Sequence, residues 1–484
     1  MAESPFLRRK RSHLSSPSPP NTKPRPDFPS FQDIPNLPSN VKSLCHLIAT
    51  TAASSVEPSL RAAAIPVSPS DVEHVLKLSY GFPGQAVKFF RWSGHHLLHR
   101  HTPHSWNLVI DILGKNRFFD AMWDAINSMH RERLLSRATF ASVFSSYAAA
   151  ARTPEALAAF EAMESYGLRR DTLALNSLFS AICRDGRTVD ACDYLQVAKK
   201  FVRPDADTYS ILMEGWEQEM SVVGAKETFA EMVIEIGWDP VNVAAYDSFL
   251  CTLVRGHDGL LEAIKFVDSM RDRGCYPGVR FLKAALDECL ESHDVRTAEF
   301  FWDVLVVGKV LQPTTEMYNL MIVLYCYHSN TEAARRLLDG MVYQGVFPDV
   351  MSYNMLFQFL IKGRKLREAS SLFAEMVKNE CLPEQAHCEA AVKVYVDNGD
   401  PLMAMKIWRF IVENYGKDLE RAANFLVVGL RDLNRVPEAV KYAEDMIGRG
   451  IRLSSSTLSK LRQSLVKDKK ESVYEELMRK WKSN

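Results

Sequence analysis

The chain has 484 residues, 47% of them hydrophobic, and its 59 basic residues are matched by 59 acidic ones. That much apolar material supports a continuous core, yet no apolar run reaches the roughly eighteen residues that a membrane-spanning helix needs, so the sequence reads as having no membrane partner. Zero formal net charge argues against an indiscriminate phosphate-binding surface, and nine cysteines without a C-x-x-C pair argue against a zinc ribbon or a disulfide framework.

Residues 1–40 are rich in Pro, Ser and Arg, and the stretch 7–26 has no acidic residue. This is the bias of an organellar targeting peptide, expected to be disordered and to direct the chain to the mitochondrion; chloroplast and nucleus are the alternatives, the nucleus because Arg8, Arg9, Lys10 and Arg11 form a basic tetrad. Residues 41–102 read as a helical lead-in that ends in a degenerate first hairpin. His95, His96, His99, His101 and His104 follow, with one i, i+4 pair but no companion Glu-x-x-His or Cys pair, so no metal and no cofactor is expected.

From Trp106 onward the pattern repeats. Trp106, Phe140, Leu175, Tyr209, Tyr246, Leu282, Tyr318, Tyr353, Cys388, Ala423 and Leu458 follow one another at intervals of 34 to 37 residues, the period of a helical solenoid. Met129, Met163, Ala198, Met232, Met270, Leu305, Met341, Met376, Ile411 and Met446 keep step with them. Between anchors the apolar residues have helical spacing, as in Tyr353, Leu356, Phe357 and Leu360, and Gly- and Pro-containing punctuations such as GVFPD at 345–349 end one helix and cap the next. The expected fold is all-α, an α-solenoid superhelix of about ten to eleven helix-turn-helix repeats, with ten repeats in 103–454 and capping helices in 455–484.

Residues 315–349 and 346–384 resemble pentatricopeptide repeats, specifically the plain 35-residue type of plant organelles. The aromatic anchor is followed by Asn in Trp106-Asn107, Tyr318-Asn319 and Tyr353-Asn354, whereas a tetratricopeptide repeat places a Trp, Leu-Gly and Tyr pattern in its first helix. The resemblance implies an organellar protein that binds single-stranded RNA, one base per repeat, and acts in RNA processing, stability, splicing or translation, with other RNA-processing proteins as partners. In the family the reading pair is the fifth residue of a repeat and the last residue of the same repeat. Carried over, the pairs are Asn107 with Ser136, Asn176 with Asp205, Ser210 with Asn242, Asn319 with Asp349, Asn354 with Glu384, and Asn424 with Ser454. The implied base order is Y-n-U-A-n-n-U-Y-n-Y.

Other residues pull the opposite way. Ala141, Asp247, Lys283 and Glu389 stand at the fifth position of the remaining repeats, where Asp247 and Glu389 would repel a nearby phosphate, and of the second-position residues only Leu173 and Met351 are the aliphatic stackers the family uses. Asp205 and Asp349 follow Pro and precede a helix, where Asp is a good cap with or without RNA. Asn inside a helix is a poor former, and an exposed Asn that replaces nothing structural should be exchangeable for Ala without loss of stability. Lys115, Arg184, Arg255 and Lys362 are placed to line a phosphate track. No zinc-deaminase signature is present, and the 30 residues after Ser454 leave no space for a catalytic domain, so no enzyme activity is expected. The alternative is a protein-binding α-solenoid scaffold that has lost the RNA code.

Overall fold

The structure is a computed structural model that describes residues 28, 30–98 and 101–483, so most of the expected targeting segment, as well as His99, lies outside the described residues. Of that segment, Phe31 is buried in a short 3-10 helix, Phe31–Asp33, and a regular helix already starts at Ser39. Described structure is thus present within the 1–40 segment, where Phe31 is a buried apolar anchor.

Among the described residues every regular element is helical. They group into two compact units, Met1–Gly215 and Trp216–Asn484, the boundary falling inside helix Ala206–Glu219. The first unit holds antiparallel helix pairs at Ser39–Thr50 and Val56–Ala63, Pro69–Lys77 and Pro83–His96, Pro103–Lys115 and Phe119–Arg131, Arg137–Ala149 and Thr153–Ala162, and Thr172–Arg184 and Thr188–Ala198. The second begins with Val222–Glu235. Its pairs are Val243–Val254 and Gly259–Arg271, Val279–Ser292 and Val295–Trp302, Thr315–Tyr327 and Thr331–Tyr343, Val350–Lys362 and Leu366–Lys378, Gln385–Asp397 and Pro401–Asn414, Glu420–Asp432 and Val436–Gly448, and Ser455–Lys467 and Glu471–Ser483.

Both anchor series form the core. All ten members of the Met129 to Met446 series are fully buried, and of the first series only Trp106 stays half-exposed, its indole N–H donating to Glu132 at 3.2 Å. Each fully buried Leu, Met or Phe contributes about 1.5–3 kcal/mol. Some of the turns use glycine: Gly167, Gly186, Gly274, Gly345 and Gly450 sit at φ between 67° and 78°, where an L side chain is strained.

First helices stack on first helices. In the first unit Pro103–Lys115 packs on Arg137–Ala149 and that on Thr172–Arg184; in the second the same succession runs from Val243–Val254 to Ser455–Lys467. The register repeats: the residue eight after one anchor meets the residue six after the next, and at three crossings one of the two is glycine, in Gly114 with Ser146, Cys183 with Gly215, and Val396 with Gly429. A Cβ on Gly429 would overlap the branched Val396 side chain. Gly429→Ala should therefore destabilise by about 1–3 kcal/mol through overpacking, although Ala is the better helix former. Val396→Ala should recover most of the loss in the double variant, as thermal or denaturant unfolding would register.

Candidate nucleic-acid interface

Within each unit, the residues singled out by the repeat pattern line one surface of the stacked first helices. Helix geometry puts the second and fifth residues of each first helix on the same side, one turn apart. The second residue is exposed in every repeat: His104, Ala138, Leu173 and Asp207 in the first unit, Ala244, Arg280, Glu316, Met351, Ala386 and Arg421 in the second. Between Pro103–Lys115 and Arg137–Ala149 this surface dips into a groove of about 360 Å³, lined by the second residues His104 and Ala138, the fifth residues Asn107 and Ala141, and Asp111 and Ser145 further along.

The fifth-position asparagines are less exposed than expected. Asn176, Asn319 and Asn354 are only 7%, 6% and 2% exposed, and Asn107 and Asn424 are half-buried. A buried amide must find partners, and in all five cases it finds them at the cap of the following repeat. Thr139 donates its hydroxyl to Asn107 Oδ1 at 2.7 Å, Thr208 to Asn176 at 2.7 Å, Ser352 to Asn319 at 2.5 Å and Thr457 to Asn424 at 2.6 Å; at Asn354 the partner is the His387 ring at 3.2 Å. These partners are third residues of the next repeat, 32 or 33 positions along the chain. Where the fifth residue is not Asn, as at Ala141, Ser210, Asp247, Lys283 and Glu389, the following third residue is apolar: Ala174, Ala245, Phe281, Met317 and Ala422. The third residue escaped sequence reasoning. Its signal, a Ser, Thr or His that accompanies Asn one repeat earlier, is visible only once the repeats are aligned.

The reading pairs fall into three arrangements. In Asn176 with Asp205 and Asn319 with Asp349 the side chains meet directly, the amide Nδ2 donating to the carboxylate at 3.1 and 3.2 Å. In Asn354 with Glu384 and Asn424 with Ser454 they do not: the backbone N–H of the last residue donates to the amide oxygen at 2.7 and 2.9 Å, and Nδ2 turns back to the carbonyls of Val350 and Glu420. Asn107 meets Thr139 instead of Ser136. Ser210 bonds to the Ala206 carbonyl of its own helix at 2.9 Å, whereas Asn242 is a buried residue of the second unit.

Three expectations need correction. The asparagines of the second unit do have a structural reason to be in a helix, because they tie each first helix to the next cap, so Asn319 and Asn354 are not exchangeable for Ala at no cost. Asp247 is no exposed phosphate-repelling group: it is 7% exposed, accepts the Gly278 N–H at 2.6 Å, and burial pushes its pKa up, against the hydrogen bonds and Arg280. The basic track is partly neutralised within each unit, with Lys115 paired to Asp111 at 2.8 Å and Arg255 to Glu217 at 3.4 Å. Lys283 and Glu389 are likewise engaged, with Glu316 at 2.6 Å and Arg421 at 4.0 Å. Arg184 bonds to Ser180, and Lys362 lies over the Phe359 ring.

The histidine run forms a separate feature of the first unit: His101 stacks on Phe90 with ring centroids 3.7 Å apart and bonds to the Phe90 carbonyl. Among the described residues no group of His, Cys, Asp and Glu has the geometry to hold a metal ion, and no helix is long and apolar enough to cross a membrane. The cysteines are free thiols, and burial pushes Cys251, Cys289, Cys326 and Cys388 up to about 12.

Tandem helical hairpins whose first helices stack and expose their second residues define an α-solenoid. The PPR repeat family matches residues 313–362, and PPR repeats match residues 104–134 and 351–381; these stretches of the chain are pentatricopeptide repeats. Two mitochondrial pentatricopeptide repeat-containing proteins of Arabidopsis thaliana are 29% and 33% identical to it over 39% and 31% of the chain, and 37% and 27% of their own lengths. A third, also mitochondrial, is 25% identical over 76% of the chain and 64% of its own length. The chain thus spans about a third of the length of the first of these relatives. Among solved structures, maize PPR10 is 16% identical with a TM-score of 0.34, covering 91% of this chain and 80% of its own, and yeast Rmd9p, solved with a 16-nucleotide target RNA, is 11% identical with a TM-score of 0.36, covering 92% and 96%.

Removing the amide should weaken the repeat junction: Asn354→Ala leaves the Glu384 N–H and the His387 ring without their acceptor and should cost about 1–3 kcal/mol in equilibrium unfolding. Acid should loosen the Asp-capped junctions. At Asp205 and Asp349 burial raises the carboxyl pKa, but the hydrogen bonds from the Thr208 and Ser352 backbones and side chains and from the two amides outweigh it and hold both below the ordinary 3.8. A depressed acid stabilises fully above its unfolded value and loses that contribution as pH falls through the folded one. The stability gap between the wild type and Asp205→Asn/Asp349→Asn should accordingly be constant near neutrality and close below 3.8; thermal melts over a pH series would detect it.

Proposed function

We propose that the protein binds single-stranded RNA of an organelle along its stacked first helices and acts in processing, stability, splicing or translation of that RNA. The observation that carries this reading is the meeting of an amide and a carboxylate beneath an exposed second residue in Asn176 with Asp205 below Leu173, and in Asn319 with Asp349 below Glu316. A flat base lying between successive second residues would face the amide with its Watson–Crick edge. Asn107 with Ser136, Ser210 with Asn242, Asn354 with Glu384 and Asn424 with Ser454 are proposed as weaker readers. The mitochondrion is the proposed compartment, supported by the acid-free basic stretch 7–26 and by relatives that are named as mitochondrial. The plain 35-residue repeat type is likewise a proposal. Base reading by hydrogen bonds requires no cofactor and no catalytic group.

A scaffold reading has its own support. In the second unit Tyr343 and Phe347, at the end of one hairpin, are 89% and 72% exposed, apolar surface of a sort that partner proteins cover. Selection from a random RNA pool with the full chain separates the two readings: we expect an enriched motif with U at two positions four nucleotides apart, from the third and seventh repeats of 103–454. Binding should fall only shallowly with salt, since several basic side chains near the first-helix surface are already paired. A pool without enrichment would leave the scaffold.

A further inference from the structure

We infer that the helix cap of the following repeat decides which hydrogen bonds each fifth-position asparagine can still offer a base, so that the buried third residues Thr208 and Ser352 set specificity without facing solvent. The inference rests on the RNA-reading role proposed above.

An asparagine amide has two donor hydrogens and two acceptor lone pairs. At Asn176 one lone pair receives the Thr208 hydroxyl, whose single hydrogen has the amide oxygen at 2.7 Å nearer than Asp205 Oδ1 at 2.9 Å, and one amide hydrogen goes to the Asp205 carboxylate, which can only accept. The amide is thereby held one way round, with one N–H and one lone pair left over. Asn319 is held identically by Ser352 and Asp349. Such a fixed donor beside a fixed acceptor tells a carbonyl-and-N–H edge, as in U, from an amino-and-ring-nitrogen edge, as in C.

What preserves that second lone pair is a reciprocal capping box. The Asp205 and Asp349 side chains accept the N–H of the third residue at 2.8 Å each, while the backbone N–H of each Asp donates to the third-residue hydroxyl at 3.1 Å. The N–H of the cap is thus diverted from the asparagine. Where the box is open, it is not. Glu384 and Ser454 send their backbone N–H to the oxygens of Asn354 and Asn424, which also receive His387 and Thr457, so both lone pairs are used. With Nδ2 bonded back to Val350 or Glu420, only one N–H remains. Every base has an acceptor for a single N–H, so these two repeats hold RNA without choosing between U and C. Asn107 follows the same rule from the other side: the Ser136 N–H donates to the Thr139 hydroxyl at 3.3 Å and so stays off the asparagine, whose oxygen receives the Thr139 hydroxyl.

The test uses the full chain and the RNA recovered by selection from a random pool, synthesised with U or C at the nucleotide read by Asn319 and, separately, at the adjacent one read by Asn354. Anisotropy titrations should show the wild type preferring U to C by about tenfold at the first and by less than about twofold at the second. Asp349→Glu with Ser352→His copies the Asn354 junction into this repeat: the ring donates to the Asn319 oxygen but does not accept the cap N–H, which then takes the second lone pair, so the preference should be abolished at the first nucleotide only, and Ser352→Thr should keep it. A merely structural junction would instead lower the melting temperature and weaken all RNAs alike. Should that double variant not fold, Glu384→Asp with His387→Ser decides, because closing the box there should create a U preference of about tenfold at the second nucleotide. Equal discrimination at both nucleotides in the wild type, or a preference that survives Asp349→Glu with Ser352→His, would overturn the inference and leave RNA binding standing. A wild type that binds none of the RNAs would overturn both.

Discussion

The hydrogen bond between the fifth residue of one repeat and the cap of the next is the interaction on which the rest depends. A first helix that stacks on its neighbour by apolar contact alone could slide by a turn at little cost, since the buried surfaces are similar throughout. The amide at Asn319 cannot slide, because its oxygen needs the Ser352 hydroxyl and its nitrogen needs Asp349. Burial makes the requirement strict: an amide oxygen left without a donor inside the stack costs more than the bond itself contributes. The same constraint fixes the register in which Cys183 meets Gly215.

Function enters through what that constraint leaves over. The residue that locks the junction also has part of its amide near the surface on which the second residues lie, so in the proposed RNA-reading role stability and recognition would be properties of the same side chain. This explains why the asparagines tolerate a helix interior, where Asn is intrinsically poor. It also explains the repeats without them. Ala141, Lys283 and Glu389 have apolar third residues after them, and their junctions rest on packing or on ion pairs such as Lys283 with Glu316. Those repeats keep the spacing of the array and, on the proposed reading, would contribute little selectivity.

The anchors were legible from sequence because burial demands the same side-chain class at each turn of the period: Tyr209, Tyr246 and Tyr353 and the methionines from Met129 to Met446 are core residues in the register their spacing implies. Helix starts were legible where an Asp or Ser cap follows Pro or a loop, as at Asp349. The site was legible only in part. Asn176, Asn319 and Asn354 stood out as odd residues in a helix, but their burial and their partners did not, since a hydroxyl 32 or 33 positions away looks like any third residue of a helix. Asp247 misled because charge alone suggested exposure, whereas Gly278 leaves space for its carboxylate and supplies a backbone donor.

The central claim is that the fifth-residue surface of the first helices is where RNA lies. Ultraviolet crosslinking of the full chain in cells, followed by mass spectrometry of the peptides that carry nucleotide adducts, addresses it directly. The account predicts adducts on peptides from Thr172–Arg184 and Thr315–Tyr327, which carry the two fully held asparagines. Adducts confined to the second helices, or none at all while proteins co-purify with the chain, would contradict it.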